Sequence, residues 1–132
     1  MLQKLCSKRG IKDLPKIKIC KEDKLFSNYV RWSRDEGKCQ RCGTQYHPPT
    51  NALHCSHYFT RAKKSVRFDL DNCKALCYGC HAYFEARKNS EYQDFMIDRL
   101  GEDGYQKLVD KANSVMKFDK AKEEFHSWFD LL

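Results

Sequence analysis

No run of apolar residues in this chain approaches the ~20 that would span a bilayer. The basic residues near its start (Lys4, Lys8, Arg9) are not followed by the apolar stretch of a secretory leader. A soluble, intracellular protein is expected. Internal repeats and low-complexity segments are also missing, so 132 residues with 41% hydrophobic content read as one domain with a modest core. Acidic residues are scarce in one part only: residues 1–90 carry 19 Lys and Arg against 8 Asp and Glu, while residues 91–132 carry 6 against 10. A basic surplus confined to the first two thirds suits a polyanion, and nucleic acid is the commonest one for such a domain. A merely solvated basic face is the plainer alternative.

Cysteine, by contrast, is abundant, with 8 residues. Four of them form two Cys-x-x-Cys pairs, Cys39/Cys42 and Cys77/Cys80. Two such pairs can close a tetrahedral tetrathiolate around Zn²⁺ whatever the interval between them, and four thiolates leave no open position, so the zinc is expected to be structural. Disulfides are disfavoured without a leader, and a redox dithiol is disfavoured by the presence of two pairs and no thioredoxin-like pattern. Cys6, Cys20, Cys55 and Cys73 lack such spacing and read as packed or exposed thiols.

Three regions follow: a basic N-terminal arm (1–22), a zinc-stapled core (23–90) and a C-terminal helical extension (91–132). From Asp23, the positions Leu25, Phe26, Tyr29, Val30 and Trp32 recur at helical spacing until Gly37. A short strand is expected over Ala52–Phe59, then a polar, exposed loop (60–71), a second strand over Asn72–Leu76, and a helix opening at Cys77 with His81 near its start. Ser90 with Gln93 reads as a capping box for a helix to Gly101, and two more helices are expected over Gly104–Ala112 and Asp119–Leu131. The fold class is therefore α+β, a small ββα unit with a four-cysteine zinc knuckle, flanked by an N-terminal helix and C-terminal helices.

Closing the zinc site would bring the strand bearing His54 and His57 beside the helix bearing His81. Phosphodiester hydrolysis needs a base for water, a cation for the phosphate charge and a group that orients the base, and this cluster offers all three. The pattern Cys39-x-x-Cys42-Gly43, His54-Cys-Ser-His57-Tyr58, Arg67-Phe68, Asp71-Asn72 and Cys77-x-x-Cys80-His81 resembles the HNH (ββα-metal) endonuclease superfamily. It is most similar to the phage recombination nucleases of the lambda NinG (Rap) family, from about Phe26 through the C-terminal helices. The resemblance implies that His57 is the general base, that Asn72 fixes the loop around it, and that His81 ligates the catalytic cation. Two positions depart from the pattern. Ser56 stands where many HNH proteins carry a metal-binding Asp, leaving His54 as the nearest substitute, and His81 stands where lambda-type members carry Asn. Glu85, one turn after His81, is a further ligand candidate. His47 and His126 read as ordinary surface or core histidines.

An open site with imidazole and oxygen ligands suits Mg²⁺ or Mn²⁺. Arg61, Lys63, Lys64 and Arg67 are expected to hold DNA phosphates, and no recognition helix is evident, so selectivity should rest on DNA structure rather than sequence. The resemblance implies an endodeoxyribonuclease acting on branched recombination intermediates such as Holliday junctions and D-loops, located in the cytoplasm of a bacterial host as a phage protein. Phe125, Trp128 and Phe129 either pack onto the core or form a homodimer interface. The competing readings are a non-catalytic zinc-stapled DNA-binding module and a sequence-specific homing or restriction nuclease.

Overall fold

A computed structural model describes residues 17–132; most of the expected basic arm, residues 1–16, lies outside the described residues. Helix α1 spans Lys21–Asn28 and runs on into a π-type stretch, Tyr29–Arg34. It starts two residues ahead of Asp23 because the backbone N–H of Cys20 donates to the Asp23 carboxylate at 2.9 Å, which satisfies a free donor at the helix start. Its end is abrupt. Gly37 adopts φ 76°, and a Cβ there would sit 2.6 Å from the carbonyl oxygen of Tyr46, so only glycine allows the chain to turn into the first cysteine pair.

Strands β1 (Leu53–His57) and β2 (Cys73–Cys77) form an antiparallel hairpin, with His57 opposite Cys73 and Leu53 opposite Cys77. Helix α2 (Tyr78–Glu85) follows directly, so the order ββα is present. Helix α3 (Glu91–Ala112) breaks at Gly101, whose φ of 76° separates the two helices expected there, and α4 spans Phe118–Phe129. Among the described residues the architecture is α+β, and the hairpin separates two apolar clusters. Leu53, Leu76, Phe84, Tyr92, Met96 and Leu108 pack with α2 and α3. Phe26, Val30, Phe68, Cys73 and Phe125 pack with α1 and α4.

At the end of β1, successive side chains point to opposite faces and so reach different clusters. Ser56 meets the Tyr92 hydroxyl at 2.7 Å in the first cluster, while the His57 ring lies 6.0 Å from that of Phe26 in the second. The C-terminal aromatics settle onto the core: Phe125 is fully buried, and Trp128 and Phe129 pack beside it. Burying such a side chain contributes about 1.5–3 kcal/mol, enough to dock α4 against α1.

Two local expectations are corrected. The 60–71 segment is not an exposed loop: it holds 3-10 turns at Lys64–Val66 and Leu70–Asn72 and buries Ser65, Val66, Arg67 and Phe68. Phe68 joins the second cluster and Arg67 finds a buried carboxylate, and these partners are invisible to local composition. The Ser90 capping box does not form either, since the Ser90 hydroxyl is directed at the Arg87 carbonyl, 3.5 Å away.

Candidate metal centre and active cleft

The four paired cysteines converge. Their sulfur atoms all lie within 4.8 Å of one another, with Cys42 Sγ 3.8 Å from Cys77 Sγ. A zinc tetrathiolate with ~2.3 Å bonds has edges of about 3.8 Å, so the cluster is suited to zinc. The first knuckle is shaped by backbone bonds from Cys39 to the Thr44 carbonyl (3.0 Å) and from Gly43 to the Cys39 carbonyl (2.8 Å). Gln40 N–H bonds the Ala75 carbonyl at 2.8 Å and so ties this knuckle to β2. Hydrogen bonding from Thr44 lowers the Cys42 thiol to about 6. Burial pushes Cys80 up to about 12, against the pull of the Arg41 guanidinium 3.4 Å from its sulfur.

His57 ends β1, about one-tenth exposed at 8%. Its Nε2 donates to the Arg67 carbonyl at 3.0 Å, which leaves Nδ1 with the free lone pair. Burial, reinforced by the charge of Arg61, lowers its pKa to about 4, so the ring is neutral at physiological pH. Asn72 is fully buried and locks the chain that carries this carbonyl: its Nδ2 donates to Phe59 O (2.9 Å) and Val66 O (3.1 Å), and its Oδ1 accepts from Phe59 N–H (2.9 Å). Arg67 is held in turn by Asp23, with Nη2–Oδ2 at 2.6 Å and Nε–Oδ1 at 3.0 Å.

His54 and His81 meet across β1 and α2, Nδ1 to Nδ1 at 2.8 Å. Neighbouring donors on an octahedral ion with ~2.1 Å bonds stand about 3 Å apart, so the pair fits adjacent ligand positions. Glu85 stands on the other side of the His81 ring. Its carboxylate lies 3.5 Å from His81 Nε2, the opposite ring nitrogen, and there it favours the tautomer that frees Nδ1. Burial lowers the pKa of His81, with Glu85 opposing. His57, His81, Glu85, Thr60, Arg61 and Lys88 line one open cleft of about 360 Å³. The described helices include none long and apolar enough to cross a membrane.

The family model of the bacteriophage lambda NinG protein matches residues 4–127. The chain belongs to the NinG family. No curated protein and no solved structure matches it significantly.

In this NinG-family chain the structure brings together Cys39, Cys42, Cys77 and Cys80 in one cluster, and His57, Asn72, His54 and His81 around one hairpin. The four basic residues expected at phosphates divide. Lys63 and Lys64 are exposed, and Arg61 is half-buried at the cleft with its Nε lacking a hydrogen-bond partner. Arg67 is a correction: it is 4% exposed, and its guanidinium is consumed by Asp23 and the Lys18 carbonyl (2.8 Å). Sequence reasoning missed Asp23 and Tyr92. An acid in the first turn of a helix looks like a dipole partner, and an aromatic at helical spacing looks like plain core, so neither carried a distinguishing signal.

Proposed function

We propose that this NinG-family protein is a metal-dependent DNA endonuclease of the HNH type, hydrolysing phosphodiester bonds in branched recombination intermediates. The observation that carries the reading is the cleft in which a neutral His57, its Nδ1 lone pair free, lies beside the His54–His81 imidazole pair. His57 Nδ1 takes the proton of the attacking water. The Arg67 carbonyl holds Nε2–H throughout and stabilises the imidazolium that forms, and Asn72 keeps that carbonyl in place. His54 and His81 would hold Mg²⁺ or Mn²⁺, with Glu85 orienting His81. Such an ion supplies Lewis-acid stabilisation of charge on the scissile phosphate and the departing 3′ oxygen. Arg61, Lys63 and Lys64 bind neighbouring phosphates, and the products carry 5′-phosphate ends.

The tetrathiolate holds structural Zn²⁺, fixing β2 and α2 relative to the first knuckle and so setting the His54–His81 spacing. Cutting two strands of a branch calls for two such clefts, which a homodimer would provide. The test is cleavage of a labelled four-way junction and a matched linear duplex, with Mg²⁺ or Mn²⁺, by wild type and His57→Ala. Junction cleavage that disappears in His57→Ala while DNA binding persists supports the proposal. Equal cutting of the duplex at one sequence favours a homing or restriction activity, and no cleavage of either DNA by wild type assigns the chain to a DNA-binding module.

A further inference from the structure

Cys55 and Cys73, unpaired by sequence spacing, are brought to the same face of the hairpin as His57. The two sulfur atoms and a ring nitrogen of His57 all lie within 4.8 Å of one another. The trio stands outside both the tetrathiolate and the His54–His81 pair. Cys73 is fully buried directly opposite His57 in the strand register, and half-buried Cys55 borders the cleft. We propose that Cys55, His57 and Cys73 form a second metal site for a thiophilic divalent cation of the zinc class, whose occupation withdraws His57 from hydrolysis.

Two sulfurs and an imidazole select such a cation over Mg²⁺ or Mn²⁺, which prefer oxygen. The three ligand atoms lie within 4.8 Å of one another, against tetrahedral edges of about 3.8 Å between sulfurs, and Cys55 and His57 line the cleft from which an ion would enter. Because Nε2 is committed to the Arg67 carbonyl, Nδ1 is the nitrogen left to ligate, and it is the same atom that would take the proton of water. One lone pair cannot do both. The site therefore acts as a metal-dependent brake, while the ion that supports hydrolysis binds elsewhere in the cleft. The braking half of the inference rests on the nuclease reading; the binding half does not.

The experiment uses the full chain carrying one equivalent of zinc, titrated with Co²⁺ and followed by thiolate-to-cobalt charge-transfer absorption. Wild type takes up one further equivalent with this absorption. Cys55→Ser and His57→Ala lose it, His81→Ala keeps it, and circular dichroism checks that each variant is folded. A wild type without the absorption, or absorption that survives Cys55→Ser, overturns the site. Junction cleavage in Mg²⁺ is then measured with and without a second equivalent of Zn²⁺: wild type is inhibited and Cys55→Ser resists. Uninhibited cleavage by a chain that binds cobalt as described overturns the brake and leaves the site standing. Absent cleavage in every arm condemns the nuclease reading, and with it the brake, while the cobalt titration still decides the site.

Discussion

Asp23 is 3% exposed and faces two guanidinium groups, Arg67 at 2.6 Å and Arg61 at 3.5 Å. Burial alone would raise its pKa, but hydrogen bonds from Arg67 and from the Cys20 backbone outweigh it and hold the carboxyl at about 2, against an ordinary 3.8. That depression corresponds to about 2 kcal/mol of stability, present above the unfolded pKa and lost as pH falls through the folded one. Asp23→Asn removes more than this at neutral pH, because it leaves Arg67 buried and unpaired, a loss of about 3–5 kcal/mol. Set against a typical domain stability of roughly 5–15 kcal/mol, the variant should be close to the edge of folding. Urea denaturation of the zinc-loaded protein measures it as a fall in midpoint at unchanged slope. A companion Asp23→Leu/Arg67→Met variant, which removes both charges, should recover most of the loss. A cost below about 1 kcal/mol for Asp23→Asn, or no recovery in the pair, would refute the assignment of Arg67 as a buried ion-pair partner.

Zinc chelation should unfold the chain, because zinc binding to such peptides is worth about 10–16 kcal/mol, comparable with the whole stability of a domain; retention of native circular dichroism after chelation with dialysis would contradict it. The low pKa of His57 means that the unfolded chain takes up its proton first, so stability should fall by up to roughly 3 kcal/mol as pH drops from about 6.5 to about 4. For the same reason the acid limb of kcat/KM for junction cleavage should lie near 4 rather than near the ordinary 6.5, and a limb at 6.5 would contradict the buried geometry. Tyr92→Phe leaves the fully buried Ser56 hydroxyl without its 2.7 Å partner and should cost about 1–3 kcal/mol in the same urea assay.

Much of the site was legible in the chain because its signals are local. A Cys-x-x-Cys pair brings its two sulfurs together within one turn of backbone, and two pairs need only meet once, so the four-cysteine cluster is expected from spacing. His57, Asn72 and His81 stand out by their order around those pairs taken with the resemblance to the HNH pattern. The strands were legible as short apolar runs, observed at Leu53–His57 and Cys73–Cys77, and the break at Gly101 as the glycine that ends one helical pattern before the next. The sequence by itself determined the α+β class, the four-cysteine cluster and the residues to which the proposed chemistry is given.

Tertiary structure decided which of those residues face one another, because long-range partners leave no periodic trace. Arg67 has the composition of a surface residue in a basic loop, yet Asp23, 44 residues earlier, draws it inside. Glu85 follows His81 by one helical turn, and only the orientation of the His81 ring shows that the carboxylate meets Nε2 while Nδ1 faces His54. Cys55 shares a strand face with His57, but Cys73, beyond a folded loop, joins them only through the register of the hairpin. Each of these outcomes depends on the direction of a side chain in three dimensions, which spacing along the chain constrains only within a single helix or strand.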